Sequence, residues 1–296
     1  MVVIKKNIDF GGFMKRMGIA IGMLLILLGS IIIYESIDQS PVKNEFYKKK
    51  EVIFRDTTNH TLGSFSQEEL TTYPSALRKY FEVCGFIGKP KMMTLVAKYS
   101  DVDFVLNSKQ KPLKISYERI NDGLQPNVLA FIDTKFFGIP FQGIDSYYDQ
   151  KGSMKGVLGK KITLFDESGE DFYTGSLVTY LSECLLVPTA ALQDFITWRE
   201  IDDQTIEGTI NYSEYEVKGV FYFKENGELE QFTTNDRVAI DSTGKKTKAP
   251  WSALFDNYVS ENGMKHPKHL KAIWHYEEGE SIYFDGEMDS LEYKYN

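Results

Sequence analysis

The alternation of apolar and polar positions changes character several times along this chain. From Met17 to Tyr34, MGIAIGMLLILLGSIIIY, eighteen residues pass without a charge. As a helix at about 1.5 Å per residue, that run is roughly 27 Å long, close to the thickness of a hydrocarbon core. Lys15 and Arg16 precede it, Glu35 follows it, and no small-x-small cleavage site comes after. The pattern predicts an uncleaved signal anchor with the N-terminus in the cytoplasm. On this reading residues 1–16 are a cytoplasmic tail and 17–34 a transmembrane anchor through which the chain meets the membrane. Residues 35–72 are a linker with a short strand at Glu51 to Arg55, and 73–296 are a β-rich extracytoplasmic domain. The expected location is the cell membrane, single-pass.

Tyr73 to Phe81 reads as a helix, with Leu77, Tyr80 and Phe81 on one face. After Pro90 the period becomes two. Met92 to Lys98, Val102 to Leu106, Leu113 to Glu118 and Asn127 to Phe136 are expected strands, and Phe136 to Asp145 a bent or edge strand. Strands resume at Phe195 and continue to Tyr295, with turns at Glu225-Asn226-Gly227 and Glu261-Asn262-Gly263. The interruption is Tyr173 to Leu192, YTGSLVTYLSECLLVPTAAL. Leu177, Leu181, Cys184 and Leu185 form one apolar helical stripe, with Ser176 as the expected N-cap and Thr179, Ser182 and Glu183 on the polar side. Pro188 ends this helix and opens a second short one.

Roughly a dozen short strands with a helical insert define the fold class: mainly β (β-rich α+β). The expected architecture is a large curled antiparallel sheet or open half-barrel, covered by short helices and preceded by one transmembrane helix. A flat sheet of so many strands is unusual.

Composition narrows function by exclusion. Lys and Arg total 34 against 42 Asp and Glu; residues 1–50 hold 8 and 4 of these, leaving the remainder at 26 against 38, a net −12. An acidic body argues against nucleic acid as a partner. Two cysteines, Cys84 and Cys184, are too few for a disulfide scaffold. Cys184 on the apolar stripe reads as a buried thiol, with a Cys84–Cys184 bridge as the alternative. His266 and His269 in HPKH have no third ligand and no helix to carry them, with His266 expected in a loop and His269 opening a strand; no metal is assigned. GSMKG at 152–156 is not a nucleophile elbow, and no phosphate-binding loop is present. No catalytic residue and no cofactor is assigned, and enzymatic activity is left unassigned.

A series of short patterns carries a resemblance. Tyr73-Pro74-x-x-Leu77-Arg78-Lys79-Tyr80-Phe81 is followed by Gly152-x-Met154-x-x-Val157, then Glu183-x-x-x-x-Pro188-Thr189-Ala190-Ala191-Leu192 and Trp198-x-x-Ile201-Asp202. Ala249-Pro250-Trp251, Gly263-x-x-His266-Pro267 and Gly286-x-x-x-Ser290-Leu291-Glu292-Tyr293 extend it. This order resembles a bacterial, membrane-anchored family of unknown function over roughly residues 73–296. Leu186-Val187 stand where members of that family commonly carry an aromatic pair. The strand order is similar to the open half-barrels of lipoprotein-carrier type, a resemblance that implies a lipid or other apolar ligand.

The candidate ligand-binding or lid residues are Glu183, Pro188, Thr189, Trp198 and Trp251. Glu183 has two readings, solvated on the helix's polar face or turned into the sheet and hydrogen-bonded there. Three functions stay open. A non-enzymatic module for a lipid or other apolar ligand predicts a continuous apolar cavity of roughly several hundred Å3. An envelope protein–protein interaction or sensory module predicts an exposed apolar patch or bare sheet edge. A hydrolase with an unrecognised site predicts Ser, His and Asp or Glu gathered in a cleft.

Overall fold

The structure, a computed structural model, describes residues 10–36, 40–57, 60–105, 111–240 and 244–295, the side chains of 10–16 and 31–36 excepted. Residues 1–9 of the expected tail, the turn 106–110 and residues 242–243 of the polar loop lie outside the described residues. The chain divides into two units, Met1–Ser40 and Pro41–Asn296. The first contains helix α1 (Phe10–Ser36).

The expected membrane anchor is corrected. Among the described residues no helix is long and apolar enough to cross a membrane. The charge-free run, at roughly 27 Å, sits only at the margin of a core of about 30 Å. The single-pass, cell-membrane location and the cytoplasmic and extracytoplasmic sides drawn from that run are withdrawn with it.

The second unit opens with α2 (Pro41–Thr57), α3 (Gln67–Leu70) and α4 (Ser75–Val83). Glu51 to Arg55 is therefore helical rather than a strand. Val42, Phe46 and Ile53 line one face of α2 and are buried against Val96, Ile120, Leu129, Phe131 and Ile144. That covered face outweighs the β propensity of a short Val-Ile-Phe run.

Six strands follow: β1 (Thr94–Phe104), β2 (Leu113–Asp122), β3 (Val128–Phe136), β4 (Ile139–Tyr148), β5 (Lys151–Leu158) and β6 (Ile162–Ser168). Then come α5 (Glu170–Glu183) and α6 (Pro188–Ala191). The remaining strands are β7 (Ile196–Asp202), β8 (Thr205–Tyr212), β9 (Tyr215–Phe223), β10 (Leu229–Thr234), β11 (Val238–Ile240), β12 (Lys246–Lys248), β13 (Trp251–Glu261), β14 (Met264–Tyr276), β15 (Gly279–Glu287) and β16 (Ser290–Lys294). Phe136 to Asp145 is a hairpin and not one bent strand, because Phe137 and Gly138 both take positive φ, as a two-residue turn requires. His266, expected in a loop, lies inside β14, paired with Val259.

Fourteen strands form one antiparallel sheet in the order β6-β5-β4-β3-β2-β1-β15-β14-β13-β10-β9-β8-β7, with β16 paired to β1. The fold is mainly β, with few helices and no closed barrel, since β6 and β7 end the sheet without pairing. α5 packs on β4 and β5 at one arm and on β8 and β9 at the other. In a flat sheet β5 and β9, nine steps apart, would be roughly 43 Å from each other. One helix about 10 Å wide touches both only if the sheet bends around it.

That position explains α5. It starts at Glu170, earlier than expected, with Glu170 and Asp171 favourably placed in its first turn. Ser176 lies inside it and is buried, so it does not cap the helix. The stripe Leu177, Leu181, Cys184 and Leu185 is fully buried, as the spacing predicts. Ser182, on the expected polar side, is buried as well, because that side also faces the sheet. Tyr80 and Tyr293 hydroxyls donate to the carbonyls of Leu185 and Leu186, satisfying acceptors just past the helix end. Both cysteines are free and buried, and burial pushes the Cys84 thiol up to about 12.

On the outer face, His269 of β14 sits between Asp256 of β13 (Nδ1 to Oδ1, 2.8 Å) and Asp285 of β15 (Nε2 to Oδ1, 2.6 Å). Burial works against its charge, but hydrogen bonds to Asp285 and Asp256 prevail and raise its pKa. A raised folded-state pKa stabilises the fold fully below the unfolded value of about 6.5, and the effect is lost as pH rises through the folded value. Urea unfolding of wild type and His269→Gln from about pH 5.5 to about pH 9 should therefore show the wild-type advantage shrinking toward the alkaline end.

Candidate functional site

The register of β1 to β5 lines up one row across the inner face: Ala97, Arg119, Ala130, Asp145, Met154. Two charged residues thus sit two strands apart, roughly 10 Å between Cα atoms, with only the methyl of Ala130 between them. The next row toward α5 is Leu95, Asn121, Val128, Tyr147 and Gly152. Gly152 lets the first turn of α5 approach, since a Cβ there would stand 2.5 Å from the Phe172 carbonyl oxygen.

Glu183, the last residue of α5, is turned into the sheet. Its Oε2 accepts from Arg119 Nε and from Asn121 Nδ2, both at 2.8 Å. Arg119 Nε also donates to Asn121 Oδ1 at 3.0 Å. A carboxylate at a helix C-terminus opposes the helix dipole, so it needs this cation. Burial of Arg119 works against its charge, but Glu183, Tyr117 and Asp145 outweigh that, and the guanidinium stays charged. Arg119 is 4% exposed, and its Nη2 has no hydrogen-bond partner among the described residues.

Asp145 is enclosed but retains some contact with solvent. Burial pushes its carboxyl up, against the opposing pull of Arg119 and Arg237, and Glu183 adds to the rise. Arg237 reaches this region from the β10–β11 link. Its Nη1 donates to Thr179 Oγ1 at 3.1 Å, and its guanidinium carbon lies 4.6 Å from the Trp251 ring centre.

Among the five candidates named from sequence, Glu183 is at the centre of this cluster. Trp251 forms its wall through Arg237, and its own Nε1 donates to Tyr283 OH at 3.1 Å. Pro188, Thr189 and Trp198 lie apart from the row. Pro188 and Thr189 are buried around α6, and Trp198 Nε1 donates to the Ala191 carbonyl at 2.8 Å while its ring packs on Phe221. Arg119, Asn121, Asp145 and Arg237 escaped the sequence reading. The available signal was Tyr117-x-Arg119-x-Asn121: polar residues at alternate places on a strand whose intervening Ile120 is also buried.

Two other clusters are less able to act. Ser252 Oγ and His275 Nε2 are 2.8 Å apart, and His275 Nδ1 is 3.2 Å from Glu280 Oε1, the order of a hydrolase relay. Ser252 has no exposed surface, so a substrate carbonyl has no approach to its oxygen. His266 and His269 are an odd number of places apart in one strand and face opposite sides.

Below the charged row the inner face becomes apolar. Leu113, Ile115, Ile132, Phe141, Met154 and Phe165 line a recess whose free volume is about 10 Å3, room for about one water. Among the described residues, this recess is not the continuous apolar cavity of several hundred Å3 expected from the sequence.

The fold and this row define a class: an antiparallel sheet bent around a buried helix, with an ion cluster and an apolar recess on its inner face. The chain belongs to a family of unknown function, DUF6544, whose sequence profile matches residues 63–286. No curated protein matches it. Among solved structures it is similar to a LolA superfamily protein from Nitrosomonas europaea, at 10% identity over 74% of this chain and 94% of the other, with a TM-score of 0.39. A DUF1329 family protein from Desulfovibrio piger is similar at 10% identity over 75% and 94%, with a TM-score of 0.41.

Removing one partner of a buried ion pair leaves the other charge uncompensated. Arg119→Met should cost about 3–5 kcal/mol, and Arg119→Met combined with Glu183→Leu should regain most of it. Denaturant unfolding of the two variants checks this.

Proposed function

We propose that this protein is a non-enzymatic binding module whose inner face takes an apolar chain, such as that of a lipid, in the recess below the charged row. One observation carries the reading. Gly143 and Gly156 stand opposite each other on β4 and β5 and leave a slot in the sheet face, which the Phe165 ring now fills. A Cβ on Gly156 would be 2.4 Å from Phe165 Cζ and 2.9 Å from Phe141 Cζ. Phe165 belongs to β6, an end strand held on one side. Movement of β6 withdraws the ring and opens the slot along an apolar lining. Met154, unbranched and adaptable, borders the slot at its charged end. The site is thus a closed recess that opens on binding.

A second reading rests on the rim. Phe137 is fully exposed, and Ile162, Leu164 and Ile139 are 63%, 53% and 48% exposed beside the open edge of β6. An apolar patch at a bare strand edge suits another protein's strand. On that reading the chain associates in a concentration-dependent way by light scattering, and Leu164→Lys prevents it.

The first reading is tested with the neutral apolar fluorophore N-phenyl-1-naphthylamine. Phe165→Ala should bind it saturably and at least about tenfold more tightly than wild type, and adding Met154→Lys should remove that gain. If Phe165→Ala folds and shows no saturable binding, the recess does not take apolar chains.

A further inference from the structure

The recess has a polar end with unused hydrogen-bonding capacity. Arg119 holds its nitrogens in one rigid plane, so committing Nε to Glu183 and Asn121 fixes where Nη2 aims. That Nη2 is buried and has no partner among the described residues, which is costly for a charged donor. In the same row, across Ala130, the Asp145 carboxyl accepts a hydrogen bond from the Ser146 backbone but no side-chain one among the described residues, and it still meets solvent. Met154, the next residue of the row, also lines the apolar recess, so the two environments are continuous.

We infer that Arg119 and Asp145 form a head-group subsite for the carboxylate of a long-chain fatty acid whose chain occupies the Gly143–Gly156 slot. The inference rests on the apolar-chain reading above and adds the head group to it. Charge selects the chemistry. The groups facing Asp145 are Arg119 and Tyr117 from β2, Glu183 from α5 and Arg237 from the β10–β11 link. Two cations already face two carboxyl groups. A third carboxyl group is matched if it shares one proton with Asp145, as paired carboxyl groups in a low-dielectric site do. The burial that raises the Asp145 carboxyl favours that protonated form. A dianionic phosphate would bring a second charge with no cation to meet it. Arg119 Nη2 then donates to one oxygen of the bound carboxylate, and Asp145 donates its proton to the other.

The test displaces N-phenyl-1-naphthylamine from the full chain, wild type and Phe165→Ala, with oleate, methyl oleate and dodecyl phosphate below their aggregation concentrations. Oleate should bind roughly 10- to 100-fold more tightly than methyl oleate, the scale of a charge-assisted hydrogen bond. Arg119→Lys, which keeps the charge and loses the second nitrogen, should erase that preference and leave methyl oleate unchanged. Calorimetry in buffers of different ionisation enthalpy should show proton uptake with oleate that Asp145→Asn abolishes. If Arg119→Lys does not fold, the loss of uptake in Asp145→Asn decides alone. Equal affinity for oleate and methyl oleate overturns the head-group assignment and leaves the apolar recess standing. Equal or tighter binding of dodecyl phosphate overturns the choice of carboxylate. Failure of all three ligands in both proteins removes the subsite and the apolar-chain reading together.

Discussion

A sheet this wide keeps its bend only while its hollow is filled, and α5 is the filler. The helix touches β4 and β5 on one arm and β8 and β9 on the other. Leu181 lies 3.2 Å from where a Cβ on Gly208 of β8 would stand, so the far arm closes tightly on the helix. Tyr180 donates to the Asp122 carbonyl at the end of β2, fixing the helix along its length. Without α5 the inner faces of both arms, rich in Phe, Tyr and Trp, would lose their shared cover. The apolar area buried there makes the helix and the curvature one cooperative unit.

The ion cluster follows from that geometry. A helix packed on both sides keeps little solvated surface beyond its first turn, and Thr179, Ser182 and Glu183, buried or half-buried, find partners inside. Thr179 receives Arg237, Ser182 donates to the Thr179 carbonyl, and Glu183 takes Arg119 and Asn121. Thr179 and Glu183 thereby fix residues from different parts of the second unit, Arg237 and the pair Arg119 and Asn121. Such a network is costly to half-complete, which gives the helix one seating.

The sequence announced the sheet more clearly than the site. Period-two alternation, the Asn-Gly turns and the proline that opens α6 all follow from local geometry, and β8 to β10 and α5's apolar stripe were legible for that reason, whereas α5 itself stops at Glu183, ahead of Pro188. The charge-free run 17–34 was misread because its length sits at the margin of a bilayer span. α2 was misread because Val52-Ile53-Phe54 favours a strand locally, while the partners that make it a helix lie in β1 to β4. Glu183 was readable as a question, solvated or buried. Its answer depended on whether one face of α5 or both faced the sheet, which is a property of the curl and not of the helix. Arg119 and Asp145 are 26 positions apart, and no spacing rule joins two residues that meet only through the register of three strands.

The same register explains why recess and ion cluster adjoin. Small residues run diagonally over this arm of the inner face: Ala97 and Ala130 in the charged row, Gly143 and Gly156 in the next. Ala97 and Ala130 leave room for the long side chains of Arg119 and Asp145 to lie across the sheet. Gly143 and Gly156 leave room for rings to lie flat, and in this structure the protein supplies the rings itself. Phe165 reaches the slot from the one strand of this arm with a free edge, whereas Phe141 reaches it from β4, held on both sides. The strand easiest to displace therefore carries the side chain that closes the recess. On the reading proposed above, the strand held on both sides carries the carboxyl group that an occupant's polar end would meet.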